Sequence, residues 1–163
     1  MSEERQPEPE SIRHGAAPPP PEAIPQGAAG SVATHHLDYL AARDLMTPGV
    51  VTIADDASLG SGIKALVTHH KHAILVVGSG DGRLLGWATD RGILAHLERD
   101  APLTPIGNAI TEDPVSVRPS ATAREAAAVL SRAGTTHLLV ASAGDRAPEG
   151  VISAFDLIRV VGT

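Results

Sequence analysis

The 163-residue chain contains no cysteine, which removes a disulfide framework, a thiolate metal site and a cysteine nucleophile from consideration. Aromatics are almost absent. Tyr39, Trp87 and Phe155 stand alone, so a core has to come from the Val, Leu, Ile and Ala that crowd the chain from residue 50 onward. No apolar run approaches the ~18 residues that span a bilayer. Positive charge is in deficit, with 13 Lys and Arg against 19 Asp and Glu and a net charge of −6. Phosphate neutralisation supplies most affinity for nucleic acid, and these scattered basic residues form no patch for it. Neither nucleic acid nor a membrane is an expected partner. The opening MSEERQPEPE is acidic and proline-rich, unlike a secretory leader, so the expected compartment is the cytoplasm. Catalytic signatures are missing as well: there is no Gly-x-Ser-x-Gly elbow, no P-loop and no His-Glu-x-x-His. Asp55-Asp56 could make a carboxylate pair, but it stands in the turn before a helix, where negative charge suits the helix start. An enzyme is not expected.

What the chain does have is a repeat. The stretch 45–95 recurs at 109–159 without a gap, at a constant offset fixed by Gly86 and Gly150. The same offset pairs Thr47 with Thr111, Val51 with Val115, Leu66 with Leu130, and Leu75-Val76 with Leu139-Val140. A unit of roughly 60 residues is too small to build a good core alone, so two copies are expected to pack together.

Three segments follow: a tail over 1–36, a first repeat over 37–99 and a second over 100–163. Seven of the 13 prolines fall between Met1 and Thr34, among Gly and Ala, which predicts a disordered tail with polyproline character. Leu37, Leu40, Ala41 and Leu45 predict a short helix before Pro48. In the first copy Val50–Ile53 reads as a strand, and Ser58 as the cap of a helix with Leu59, Ile63, Leu66 and Val67 on one inward face. Ala73–Val77 is a buried strand, Leu84–Ala88 another, and Asp90–Leu97 a helix. In the second copy Val115–Val117 is a strand, and Thr122 and Glu125 form a capping box. His137–Ala141 and Val151–Ser153 are strands, and Ala154–Val161 closes as a helix. The fold class is α+β, two β-α-β-β-α units. Near-continuous apolar middle strands imply sheets covered by helices.

These residues, and above all the LMTPGVVTI opening and the GVISAFDLI ending, resemble the cystathionine-β-synthase (CBS) domain. A tandem pair of such domains forms the Bateman module. The resemblance covers residues 43–161 and implies two repeats related by pseudo-twofold symmetry and packed through their sheets. It implies a regulatory module that binds an adenosyl ligand (AMP, ADP, ATP or S-adenosylmethionine) between the repeats and catalyses nothing. It also implies a homodimer and an effector protein that responds to occupancy.

The family's ending, Gly–apolar–apolar–Thr/Ser–x–x–Asp, is complete in the second copy as Gly150, Val151, Ile152, Ser153 and Asp156. A strand that feeds a helix start presents unpaired N–H groups to anions. There Ser153 can bond a phosphate or sugar oxygen, and the Asp156 carboxylate can accept from a ribose diol. Ser-x-x-Asp is equally a helix cap in its own right. The first copy keeps Gly86 and Thr89, but Trp87 and Ala88 replace the branched pair and Gly92 replaces the aspartate. One ligand per chain is therefore expected, with Gly92→Asp as the change to restore a second unless the Trp87 side chain obstructs it. The resemblance also places basic residues before the central strands, at Lys71, His72 and His137, within reach of ligand phosphates. Two other readings remain. One is a scaffolding or dimerisation module without ligand. The other is a metal site at His69, His70 and His72 with His35 and His36, of which His69 and His72 would share a helical face.

Overall fold

The computed structural model describes residues 36–97, 99, 102–143 and 147–161. The proline-rich tail, except His36, lies outside them, as do parts of the linker at 98–105 and of the turn at 142–149. Among the described residues the elements are α1 (Ala42–Leu45), β1 (Thr47–Pro48), β2 (Thr52–Ala54), α2 (Leu59–His69), β3 (Ala73–Val77), β4 (Leu84–Thr89) and α3 (Asp90–Leu97). A 3₁₀ turn (Ile106–Ala109) opens the second repeat. It is followed by β5 (Ile110–Glu112), β6 (Ser116–Val117), α4 (Ala123–Ala133), β7 (His137–Val140), β8 (Gly150–Ser153) and α5 (Ala154–Val161).

Two four-stranded sheets result, in the orders β2-β3-β4-β5 and β1-β8-β7-β6. In each copy a parallel pair (Thr52 opposite Leu75, Ser116 opposite Leu139) adjoins an antiparallel one (Ala73 opposite Thr89, His137 opposite Ser153). All four pairings obey the offset read from the sequence. Strand alternation then assigns the faces. Ile74 and Val76 enter the core of the first repeat, and Leu138 and Val140 that of the second. Ala73, Leu75, Trp87 and Leu139 pack together in a separate cluster between the sheets. With both faces buried, the middle strands have to read as unbroken apolar runs.

Each sheet takes its last strand from the other repeat. β1, which leads the first repeat, pairs with β8, and β5, which leads the second, pairs with β4. The cores follow: Leu37 and Ala42 are buried among second-repeat residues, Ile106 and Ala109 among first-repeat residues. Gly86 and Gly150 mark the crossings. A Cβ on Gly150 would lie 2.6 Å from the Thr47 carbonyl oxygen, and one on Gly86 would lie 2.7 Å from the Glu112 carbonyl oxygen. The two glycines that fix the repeat offset are thus the two places where a foreign strand lies too close for a side chain.

The helix expected from Leu37 to Leu45 is two pieces, a turn over 36–39 and α1. Leu40 to Ala42 instead bridge to the second repeat, with Ala42 N–H donating to the Ala121 carbonyl and Ala123 N–H donating to that of Leu40. On α2, Leu59 and Leu66 are buried, but Val67, expected on the same face, is 68% exposed; the caps are those read from sequence. Ser58 Oγ accepts from Ser61 N–H, and Thr122 and Glu125 bond each other's backbone amides. Asp55 is structural, as expected: its carboxylate accepts from Ser79 N–H at 2.8 Å.

Candidate functional site

A cleft of about 390 Å³ opens where the repeats meet. The first repeat contributes Thr47 to Val51, His70 to Ala73 and Trp87, and the second contributes His137, Val151, Ser153 and Asp156. We call it the Asp156 cleft.

Its second-repeat wall comes from the β8–α5 junction. Asp156 Oδ2 accepts from Ser153 N–H at 2.8 Å and from Ser153 Oγ at 2.7 Å, while Asp156 N–H donates to Ser153 Oγ at 3.2 Å. The helix cap is complete within the chain. Only one carboxylate oxygen is used for it, and Oδ1 accepts nothing from the described residues. A carboxylate held by one oxygen leaves the other to accept from a hydroxyl.

His137 begins β7, and its ring lies 5.2 Å from the Trp87 ring, tilted by 37°. Burial pushes its pKa down, and the carboxylates of Glu112, Asp156 and Asp90 only partly oppose this. The imidazole is therefore neutral at pH 7. The first-repeat wall carries the positive charge. Lys71 is exposed there, and His72 places Nδ1 3.4 Å from Asp90 Oδ2. Just before them His70 ends α2 in the left-handed region (φ 50°, ψ 49°). Val50, Val51, Ala73, Trp87 and Val151 add apolar surface. Cation, apolar wall and carboxylate thus line one space, which suits a ligand with an anion, a flat apolar body and a hydroxyl pair.

Three residues singled out in the sequence lie elsewhere. Gly150 and Ile152 are buried away from this lining: Gly150 because β1 crosses it, Ile152 because it points into the second core. Thr89 lines a different cleft, of about 600 Å³, with Asp90, Gly92, Thr111, Glu112, Thr136 and His137. There Thr89 Oγ1 meets Thr111 Oγ1 at 2.8 Å and accepts from Gly92 N–H, so its hydroxyl is engaged. This Glu112 cleft is the pseudo-symmetric counterpart of the first. A Cβ on Gly92 would collide with the Ala109 carbonyl oxygen and lie 2.7 Å from Thr111 Cγ2. Gly92→Asp therefore fits no side chain into the present backbone, and the expectation that it restores a second site is corrected.

Sequence reasoning did not assign Thr47–Val51, His70 or Trp87 to the lining. The offset carried a signal for the first of these, since a leading segment that repeats as faithfully as the strands has a structural task. The metal reading is not supported by the described histidines, and His35 lies outside them: α2 ends at His69, so His72 does not share its helical face. Among the described residues no three His, Asp or Glu are placed to hold a metal ion.

No curated protein sequence matches the chain significantly. Solved structures do. The CBS domain of a bacterial CNNM/CorC family Mg²⁺ transporter in complex with ATP superposes with a TM-score of 0.68 at 20% identity, over 82% of this chain and 95% of that one. The CBS-domain-containing protein ATU1752 from Agrobacterium tumefaciens gives 0.62 at 24% identity, over 72% and 90%. CBSX2 in complex with AMP gives 0.57 at 23% identity, over 73% and 93%. At such identities the likeness is one of fold. The CBS domain model itself matches twice, at residues 42–99 and 106–163. The chain therefore belongs to the CBS domain family, as a tandem pair in which each copy completes the other's sheet.

Proposed function

We propose that this protein is a regulatory ligand sensor of the cytoplasm that takes one adenosyl nucleotide (AMP, ADP, ATP or S-adenosylmethionine) in the Asp156 cleft. The observation that carries this reading is the convergence of Lys71, His72, Trp87, Ser153 and Asp156 on one space. Asp156 Oδ1 would accept from the ribose diol, the base would lie against Trp87 and Val151, and a phosphate would face Lys71 and His72. That related folds are described with ATP and with AMP bound supports the chemistry. The ligand is held and not altered. Because the cleft joins β1 and the β8–α5 junction, occupancy can favour one arrangement of the repeats over another. It acts on stability or assembly only through such a difference, of about 1–3 kcal/mol in typical couplings. The module works as a homodimer: Val67, Leu94, Leu97, Phe155, Ile158 and Val161 are exposed on its helices, and a second copy would cover them.

Calorimetric titration with AMP, ADP, ATP and S-adenosylmethionine tests the reading, with nucleotide recovered by chromatography afterwards. One site per chain and intact nucleotide are expected. Absence of binding by all four would leave the scaffolding alternative, which the self-sufficient Ser153–Asp156 cap favours. Hydrolysis dependent on Asp156 would make the protein an enzyme.

A further inference from the structure

The Glu112 cleft is built like a binding site and yet is already occupied. Glu112 leaves β5 with its side chain 13% exposed. Its Oε2 accepts from Thr135 Oγ1 at 2.6 Å and from Thr136 N–H at 2.9 Å, and its Oε1 accepts from Thr136 Oγ1 at 2.7 Å. His137 Nδ1 stands 3.7 Å away. Three donors converging on one carboxylate from the turn before a central strand form an oxyanion cradle. Burial alone would raise the Glu112 pKa; the threonine donors and His137 more than offset it and hold it below its ordinary value.

The other repeat shows what the cradle looks like without its occupant. The turn before β3 is Lys71-His72 where the turn before β7 is Thr135-Thr136. The strand crossing there is β1, with Thr47 opposite Val151 as Glu112 is opposite Trp87. Strand β5 reaches that register through an irregularity between Trp87 and Ala88, which pair with Glu112 and Ile110 and skip Thr111. Neither Thr47 nor Pro48 brings a charge, and no carboxylate accepts from His72 N–H among the described residues. The turn before β3 thus carries a lysine and meets no carboxylate on the strand that crosses it, whereas the turn before β7 offers neutral donors and meets Glu112.

We propose that the cleft beside Gly92 is an oxyanion site which the chain fills with its own Glu112 carboxylate, closing it to external carboxylates and phosphates. This deepens the ligand-sensor reading by giving a physical cause for a single ligand per chain. It stands on geometry that does not require a nucleotide.

The test uses the full chain, with sodium acetate as the probe in low-salt buffer. Glu112→Ala vacates the cradle, so it should melt lower than the native protein and recover on addition of acetate. At about ten times the dissociation constant the recovery should be about 5 °C. Native protein should shift by less than a degree. Glu112→Gln keeps the space filled and should not respond. Equal responses of native protein and Glu112→Ala, or of Glu112→Gln and Glu112→Ala, would overturn the proposal. Folding of Glu112→Ala only in acetate would support it. Should that variant not fold under either condition, Thr47→Glu decides. A carboxylate placed before Lys71-His72 should melt about 2 °C or more above Thr47→Gln, and equal melting would refute the cradle logic. A nucleotide titration that fails while acetate rescue succeeds would sink the sensor reading and leave this one standing.

Discussion

The two repeats share a scaffold and differ in where they put charge. α4 ends on Gly134 in the left-handed region (φ 65°) and runs into two threonines; α2 ends on His70 in the same region (φ 50°) and runs into Lys71 and His72. A left-handed residue with a Cβ costs about 1–2 kcal/mol, so the first repeat holds a strained, basic turn where the second holds a relaxed, neutral one. The carboxylates are reversed: the second repeat supplies both Asp156 for one cleft and Glu112 for the other. The two copies keep one backbone while their clefts differ, one with its carboxylate satisfied from within and one in which Asp156 Oδ1 accepts nothing from the described residues. Backbone strain of this kind gathers at ligand sites.

The comparison breaks most plainly at Asp156. Its replacement by Ala should cost about 2–4 kcal/mol of nucleotide binding, as expected for charge-assisted hydrogen bonds, and about 1 kcal/mol of stability through the lost α5 cap. Calorimetry reads the first and thermal unfolding the second; unchanged affinity would move the site elsewhere. Gly92→Asp should destabilise by about 1–3 kcal/mol through overpacking against Ala109 and Thr111 and add no site. A stable variant binding two ligands would show that the clefts are interchangeable. His70→Gly relieves the left-handed turn and should stabilise the ligand-free protein by about 1 kcal/mol, read from denaturant midpoints at constant m-value.

The smallest effect is a pH dependence. His137 titrates below 6.5 in the folded protein and near 6.5 when unfolded. Its contribution to stability is therefore full above about pH 6.5 and is lost as pH falls from there through the folded value, because the unfolded chain binds the proton first. Melting followed over that window should slope upward with pH, and His137→Gln should flatten the slope. A slope unchanged by the substitution would assign it to other groups.

Much of this was legible in the residues. The offset, the caps at Ser58 and Thr122 and the strands around Leu75 and Leu139 rest on local patterns that the chain carries openly. Ser153 and Asp156 could be placed because a strand end and a helix start are adjacent in sequence. The leading strands could not be read, since β1 and β5 are very short. They owe their pairing to partners in the other repeat, Gly150 and Val151 for β1, Trp87 and Ala88 for β5. The split of the Leu37–Leu45 helix has the same cause, because the bridge from Ala41 to Thr122 overrides local propensity. Glu112 escaped notice for a related reason. Its donors belong to the turn at Thr135-Thr136, on the far side of β6 and α4, and nothing near Glu112 itself announces them.

The crossed leading strands say something about origins. One copy alone would present an open sheet edge beside Gly86 or Gly150 and a core lacking two of its residues. Such a unit is whole only when two of them trade arms. A single ancestral copy would thus have been an obligate pair of chains, and joining the pair end to end replaced a bimolecular encounter by a tethered one. Short flexible tethers give effective concentrations on the order of millimolar, so the fusion freed assembly of the pair from dilution. It also freed each arm to change without changing its twin, which a symmetric pair of identical chains could never do.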